Sequence, residues 1–219
     1  MKKFWFLFYY ELISSNVQSG NILNIVIFYV SLLALFPLGI GNALHIISTI
    51  NTSILVIMIV FTVILQLEGF FDKERASGNL KQYPFLTAQY NFKWILLIRA
   101  FYKAARLLFG LILAMPIGCI LLNVNLSYYL PIILVLIPVV PSMLFLGLIG
   151  SSLLVGFTQK STFLMLLLFP LFVPLLIFTI SYLTNSATTY FELLILYSIF
   201  IVLSMIFPYI CNTTLKSLT

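Results

Sequence analysis

Six long stretches of this chain contain no charged residue, and they constrain its fold more than any other feature. They lie at about 22–41, 50–67, 107–122, 129–157, 163–182 and 193–210. A helix needs about 20 mostly apolar residues to cross the hydrocarbon core of a bilayer. The chain is 63% hydrophobic and 7% charged, whereas a water-soluble domain is about one quarter charged. The pattern therefore predicts an all-α, polytopic membrane protein with six transmembrane helices in a single domain, residues 1–219.

The basic residues predict which side of the membrane each loop faces. If the N-terminus is cytoplasmic, all eleven Lys and Arg fall on the cytoplasmic side, seven of them between the second and third spans. The only charged residue in the opposite loops is Glu192. Because Lys and Arg concentrate in cytoplasmic loops, both termini and the loop 68–106 are predicted to be cytoplasmic. The net charge of +6 then reflects topology and contact with anionic lipid, and gives no ground for nucleic-acid binding.

The first 20 residues are predicted to form a helix that lies in the membrane interface. Polar residues such as Glu11, Ser14 and Gln18 recur there at helical spacing, among many Tyr, Trp and Phe side chains. A simple extension of the first span is the alternative. No small-residue cleavage site follows the stretch, so a signal peptide is not expected.

Prolines and glycines interrupt several spans and predict kinked helices. A straight helix over Leu130–Phe157 would be about 42 Å long, against a hydrocarbon core of about 30 Å. Pro170 and Pro174 lie one turn apart and hence on one face, as suits helices that rock against each other. Ordinary structural prolines, or a plain helix end in the first span, are the alternatives. The residues predicted to shape or move the helices are Pro37, Gly39, Gly41, Pro138, Pro141, Gly147, Gly150, Pro170 and Pro174.

Several function classes lack the residues they require. The predicted spans contain no Asp, Glu, Lys or Arg, which disfavours a transporter driven by protons or sodium. No G-x-x-x-x-G-K-[ST] phosphate loop is present, so the chain is not predicted to bind ATP itself. Its single His cannot form a two-histidine metal site, and Cys119 and Cys211 fall at opposite depths, too far apart for a disulfide. Without a candidate cluster for acid–base or nucleophilic chemistry, the chain is not predicted to be an enzyme.

One large hydrophilic segment, residues 68–106, joins the second and third spans. Its first part suits an amphipathic helix that Gly78 ends. A second amphipathic helix is predicted from Thr87 into the third span, with Arg99, Lys103 and Arg106 on one face. The segment is either a lever docked to a soluble partner or a solvated face with lipid-headgroup anchors. Because the chain has no energy source of its own, that partner would be a separate ATPase subunit.

Five short motifs give the chain a resemblance to the haem exporter B family, also called cytochrome c maturation protein B, from Glu11 to the C-terminus. They are "LFPLGIG" (Leu35–Gly41), "LEGFF" (Leu67–Phe71), "GNLKQ" (Gly78–Gln82), "PSMLFLGLIGSSLLVG" (Pro141–Gly156) and "LFPLFVPLLIF" (Leu168–Phe178). Each motif alone is weakly specific, but their order and spacing are specific. The resemblance implies an ABC-2-type permease fold of six helices with an N-terminal interfacial helix.

The resemblance also implies a role in c-type cytochrome maturation. An ABC ATPase would hydrolyse ATP to drive release of a haem chaperone from a haem-handling membrane subunit. A second permease copy is a further expected partner, and haem would be a handled substrate, with His45 as one conceivable ligand and an ordinary interfacial residue as the alternative. The residues that would carry coupling are Glu68, Phe71, Asp72, Glu74, Gly78, Leu80 and Gln82.

The resemblance leaves other functions open. The chain departs from the family between Tyr83 and Arg106, where it reads "YPFLTAQYNFKW" in place of a turn rich in proline and small residues. An ABC-2 permease for drugs or polysaccharides, or a non-transporting scaffold for haem-handling proteins, remains an alternative. The expected location is a bacterial inner membrane, with a mitochondrial inner membrane as the alternative.

Overall fold

A computed structural model describes six α-helices and parts of the turns that join them. The described residues are 22–40, 44–67, 92–125, 128–154, 160–184 and 189–216. The helices are α1 (Ile22–Ile40), α2 (Leu44–Leu67), α3 (Phe92–Leu121), α4 (Tyr129–Leu153), α5 (Lys160–Thr184) and α6 (Thr189–Lys216). Each is long and apolar enough to cross a membrane. Within these ranges there is no strand, so the predicted all-α membrane protein with six spanning helices is confirmed.

The fourth helix is the centre of the bundle. In α4, 72% of the spanning stretch is buried, compared with 17% in α1 and in α6. It packs against α2, α3, α5 and α6. Its sequence is apolar on every side, which is the pattern of a helix surrounded by other helices rather than by one partner and water.

Small residues let α1 lie close against α3. Gly110, Ala114 and Gly118 are spaced four residues apart on α3, so they share one face, and all three are buried. A Cβ atom added to Gly118 would lie 2.7 Å from Leu33 Cδ1, and one added to Gly110 would lie 3.0 Å from Ile25 Cγ2. Because lipid tails are as apolar as the helices, such close packing is what holds helices together in a membrane.

Tyr29 fixes α1 to two neighbouring helices at once. Its side chain is fully buried. The hydroxyl donates a hydrogen bond to the Leu55 carbonyl oxygen of α2 at 3.1 Å, and lies 3.7 Å from the Met115 sulfur of α3. The sequence therefore places one polar atom in the core and gives it an acceptor there.

The end of α3 next to α4 is closed by a Schellman motif. Asn123 has a φ of 53°, and among non-glycine residues asparagine tolerates this left-handed conformation best. The Val124 N–H donates to the Cys119 carbonyl at 2.9 Å, and the Asn123 N–H donates to the Ile120 carbonyl at 3.3 Å. These two bonds satisfy carbonyls that the helix end would otherwise leave without a donor.

Buried hydroxyl groups are satisfied within their own helices. Ser142 and Thr179 each donate to the carbonyl four residues earlier at 2.6 Å, and Thr62 does so at 2.9 Å. In hydrocarbon no water is available to accept these bonds, so the backbone must accept them. Outside the core, large apolar side chains such as Leu38 and Ile120 are about four-fifths exposed, as expected of surfaces that face lipid.

The helices are in places longer than the predicted spans. α2 begins at Leu44 rather than at 50, so His45 lies in its first turn and not in a loop. α3 begins at Phe92 rather than at 107, and α6 continues to Lys216. Hydropathy marks the part of a helix inside the hydrocarbon, whereas helical hydrogen bonds continue into the polar interface. The interfacial helix predicted for residues 1–20 lies outside the described residues.

Candidate functional site

All of the residues predicted to contact an ATPase lie in the segment that joins α2 to α3. Glu68, Phe71, Asp72, Glu74, Gly78, Leu80 and Gln82 fall within 68–91, outside the described residues. Their coupling role therefore stays a prediction. The described chain stops at Leu67 and resumes at Phe92, so the candidate site is built from the helices that this segment joins.

Three cations lie on the first half of α3, just after the joining segment. Arg99, Lys103 and Arg106 recur at i, i+4 and i+7, so they follow one face, and each is half-buried. They fall within the apolar stretch Leu96–Leu121. The three cations lie in the part of α3 that precedes the predicted span 107–122, and that span itself contains no charged residue. Long basic side chains tolerate this position because their apolar stems pack in the membrane while the cation reaches a polar group.

Glu192 also lies inside a helix rather than in a loop. It occupies the first turn of α6, within the stretch Tyr190–Thr214, and is 7% exposed. Glu192 directly precedes the predicted span 193–210, which contains no charged residue. Its carboxylate accepts a hydrogen bond from the Ser181 hydroxyl of α5 and lies at the positive end of the helix dipole. The contact ties α5 to α6 at the end predicted to be extracytoplasmic.

Leu67 and Gly147 form the tightest contact of a glycine in the described bundle. Leu67 is the last residue of α2, is 1% exposed and directly precedes the joining segment. A Cβ atom added to Gly147 would lie 2.0 Å from Leu67 Cδ1. The Leu67 side chain therefore rests on the bare backbone of α4. The last residue of α2, directly before the joining segment, is thus packed against the central helix.

An aromatic cluster lies on the other side of α4 and consists of Phe101, Phe145, Phe200 and Phe207. Phe145 is fully buried and stacks on Phe207, with ring centroids 5.3 Å apart and an interplanar angle of 22°. It also stacks on Phe200 at 6.1 Å and meets Phe101 edge-on at 5.2 Å. Such pairs each contribute about 0.5–1.5 kcal/mol beyond the area they bury. The cluster connects α3, α4 and α6.

A polar contact joins α4 and α6 close to where α4 ends. The Thr214 hydroxyl donates to the Ser152 hydroxyl at 3.3 Å, and Ser152 donates in turn to the Ile149 carbonyl at 2.7 Å. Cys211 lies one turn before Thr214 and is a buried free thiol, as is Cys119 on α3. Among the described residues no group of three or more His, Cys, Asp or Glu side chains could hold a metal ion.

The prolines predicted to kink the helices lie in two different environments. Pro138 and Pro141 are buried in α4, which continues as a helix through both. Pro170 and Pro174 lie on the exposed side of α5. The two proline pairs therefore do not face each other within this chain. Each proline removes one backbone N–H and so weakens its helix locally.

The predicted glycines also differ from one another. A Cβ atom added to Gly39 would meet none of the described residues within 4 Å, so Gly39 is not a close contact between the described helices. α1 continues through Pro37 to Ile40. At Gly150 the added atom would make ordinary contact, 3.4 Å from Leu167 and Leu168. Gly41 lies outside the described residues. Among the described glycines predicted to shape the helices, only Gly147 is tightly covered.

Sequence reasoning missed several residues that hold the bundle together. The four-residue spacing of Gly110, Ala114 and Gly118 is a signal that could have found the contact of α1 with α3. No such signal marks Leu67 or Phe145, because each is one apolar residue among many. Only their partners in space give them a role.

These features define the class of protein. It is a polytopic α-helical membrane protein whose buried central helix, α4, contains prolines and contacts Leu67, the residue that precedes the main hydrophilic segment. Residues 2–217 match the family described as CcmB protein. The chain is 32% identical over 184 residues to Heme exporter protein B of Haemophilus influenzae, covering 80% of each chain. It is 28% identical over 169 residues to Heme exporter protein B of Pseudomonas aeruginosa, covering 73% of this chain and 71% of that one. The chain belongs to the CcmB family.

Proposed function

We propose that this chain is the membrane permease subunit of an ABC-type complex for c-type cytochrome maturation. The family match over residues 2–217 is the observation that carries the proposal. The chain supplies the membrane helices, and a separate ATPase subunit supplies the energy, since the sequence has no phosphate-binding loop of its own. The relatives' name, Heme exporter protein B, supports haem as the substrate that the complex handles.

The ATPase docks on the hydrophilic segment 68–91. This segment follows Leu67, the last residue of α2, and precedes Phe92, the first residue of α3. Its acidic and aromatic residues, Glu68, Phe71, Asp72 and Glu74, suit a partner with a basic, apolar groove.

The complex resides in a bacterial inner membrane, with the segment 68–91 and both termini in the cytoplasm. The distribution of Lys and Arg supports this orientation. ATP is available on that side, so the ATPase can only engage a segment that faces the cytoplasm. Other maturation proteins, a haem-handling subunit and a haem chaperone among them, and a second copy of this chain complete the assembly.

Charge reversal in the segment tests the docking. We expect Glu68→Lys combined with Asp72→Lys to abolish co-purification of the ATPase subunit with the tagged chain and to stop c-type cytochrome formation. Lys216→Glu reverses a charge at the end of α6, outside the segment, and should leave both unchanged. Retention of the ATPase and of cytochrome formation in the double variant would refute the docking site.

An ATPase subunit that cannot hydrolyse ATP distinguishes a complex driven by ATP hydrolysis from a non-transporting scaffold. A partner that binds ATP without hydrolysing it should assemble with this chain but support no cytochrome formation. Normal cytochrome formation with that partner would mean that the chain only gathers haem-handling proteins. Haem measured in the purified complex then shows whether haem belongs to its cargo.

A further inference from the structure

The last residue of α2 lies against the only glycine of α4 that a larger residue could not replace without displacement. An added Cβ atom at Gly147 would lie 2.0 Å from Leu67 Cδ1, 2.8 Å from Cδ2 and 2.9 Å from Cγ. Since all three distances are shorter than a carbon–carbon contact, the whole side chain of Leu67 would have to move. At Gly150, three residues further on, the same atom would fit at 3.4 Å. Of these two glycines of α4, only Gly147 is in such a tight contact.

The opposite side of α4 is held by the aromatic cluster. Residues 145 and 147 are about 200° apart around a helix, so Phe145 and Gly147 point to opposite sides. Phe145 stacks on Phe200 and Phe207 of α6 with nearly parallel rings. α4 is therefore packed between the end of α2 and the aromatic residues of α6. Both contact residues of α4, Gly147 and Phe145, are buried.

We propose that the contact between Leu67 and Gly147 is the joint that transmits movement of the segment 68–91 to α4, and through Phe145 to α6. Leu67 is a positioning residue, since it contacts neither ATP nor cargo. The inference rests on the proposed function, because an ATPase must first move the segment. It adds a specific mechanical path to that function.

The physical basis is that the glycine side of this contact cannot absorb a displacement of Leu67. Two long side chains that meet can change rotamer and absorb a displacement of an ångström or more. A side chain resting on bare backbone has no such freedom on the glycine side, and packed interiors are nearly incompressible. Glu68 follows Leu67 directly, so a pull on the segment reaches the joint after a single peptide unit.

Three variants of the intact complex test the joint. Gly147→Ala inserts a methyl group into the contact, and Leu67→Ala removes the contact without adding an atom. Leu67→Val with Gly147→Ala conserves the number of carbon atoms and removes both Cδ atoms that clash. Gly150→Ala adds the same methyl group to the same helix where it fits, and is the matched control.

We expect Gly147→Ala and Leu67→Ala each to lower cytochrome formation roughly tenfold, within the range of coupling effects of single residues. The amount of ATPase that co-purifies and the rate of ATP hydrolysis should stay near wild type. The exchanged pair should recover cytochrome formation to within about twofold, as interacting residues do in a double-mutant cycle. Gly150→Ala should behave as wild type.

Any other result counts against the proposal that the Leu67–Gly147 contact transmits movement. Wild-type cytochrome formation in either single variant overturns it, as does an exchanged pair that fails to recover. If Gly147→Ala prevents assembly, Leu67→Ala decides, because that variant only removes atoms. A wild-type chain that purifies without any ATPase refutes the proposed function itself, whereas an assembled complex in which all three variants work normally refutes only the joint.

Discussion

Tyr29 shows how one residue can secure three helices. Its ring fills the space between α1 and α3, and its hydroxyl reaches the Leu55 carbonyl of α2. We expect Tyr29→Phe to lower the free energy of unfolding by about 1 kcal/mol, since one hydrogen bond is lost but the acceptor keeps its helical partner. Tyr29→Ala should cost about 3–5 kcal/mol, because it also leaves a cavity. Thermal unfolding of the purified protein in one detergent gives both values, and equal losses would show that the ring contributes nothing.

Asn123 tests the Schellman motif that ends α3. Its φ of 53° suits glycine and asparagine and strains a β-branched residue. We expect Asn123→Gly to leave the unfolding temperature unchanged and Asn123→Val to lower stability by about 1–2 kcal/mol. Residue 123 is exposed, so the comparison is not affected by core packing. If the valine variant is as stable as the glycine variant, the motif does not limit the stability of this helix end.

The packing of α1 on α3 is the next level of organisation. It depends on Gly118, where an added Cβ atom would lie 2.7 Å from Leu33 Cδ1 and 3.1 Å from Leu55 Cδ2. We expect Gly118→Val to destabilise the protein by about 1–3 kcal/mol, the usual cost of overpacking. Gly39→Val is the matched control, because Gly39 is also helical but has no described residue within 4 Å of an added Cβ atom. Similar unfolding temperatures for the two variants would contradict a packing role for Gly118.

Whole helices were predictable from the sequence, whereas their ends and pairings were not. Hydropathy alone predicted six spanning helices, because the cost of unpaired backbone in hydrocarbon permits no other structure there. Arg99, Lys103 and Arg106 were predicted to lie on an amphipathic helix that leads into the third span, and α3 does run through all three, but hydropathy alone began that span only at 107. Gly147 was predicted as a helix-shaping residue, but its partner Leu67 was not. Pairing of α2 with α4 is a property of the folded chain, and no local pattern encodes it.

At the scale of the whole molecule, the described helices pack around α4, and the hydrophilic segment 68–91 joins two of its neighbours, α2 and α3. α4 contacts α2, α3, α5 and α6, so a displacement of α4 changes the environment of four helices. The exposed prolines of α5 lie away from this centre, on a surface open to lipid or to another subunit. A force applied at the end of α2 thus enters the molecule at its most connected helix. The proposed function requires the segment 68–91 to lie on the cytoplasmic side, where ATP is available.

Accessibility labelling tests this orientation directly. In a background of Cys119→Ala and Cys211→Ala, Ser77→Cys is placed in the segment 68–91, and Ser186→Cys is placed in the loop after α5. We expect a membrane-impermeant thiol reagent added to intact cells, with the outer membrane permeabilised, to label Ser186→Cys but not Ser77→Cys. Lysis should make Ser77→Cys reactive as well. The reason is the eleven Lys and Arg residues, all of which are predicted to lie on the same side of the membrane as Ser77. Labelling of Ser77→Cys in intact cells would place the segment outside, and an ATPase that works in the cytoplasm could then neither dock on it nor move α4 through it.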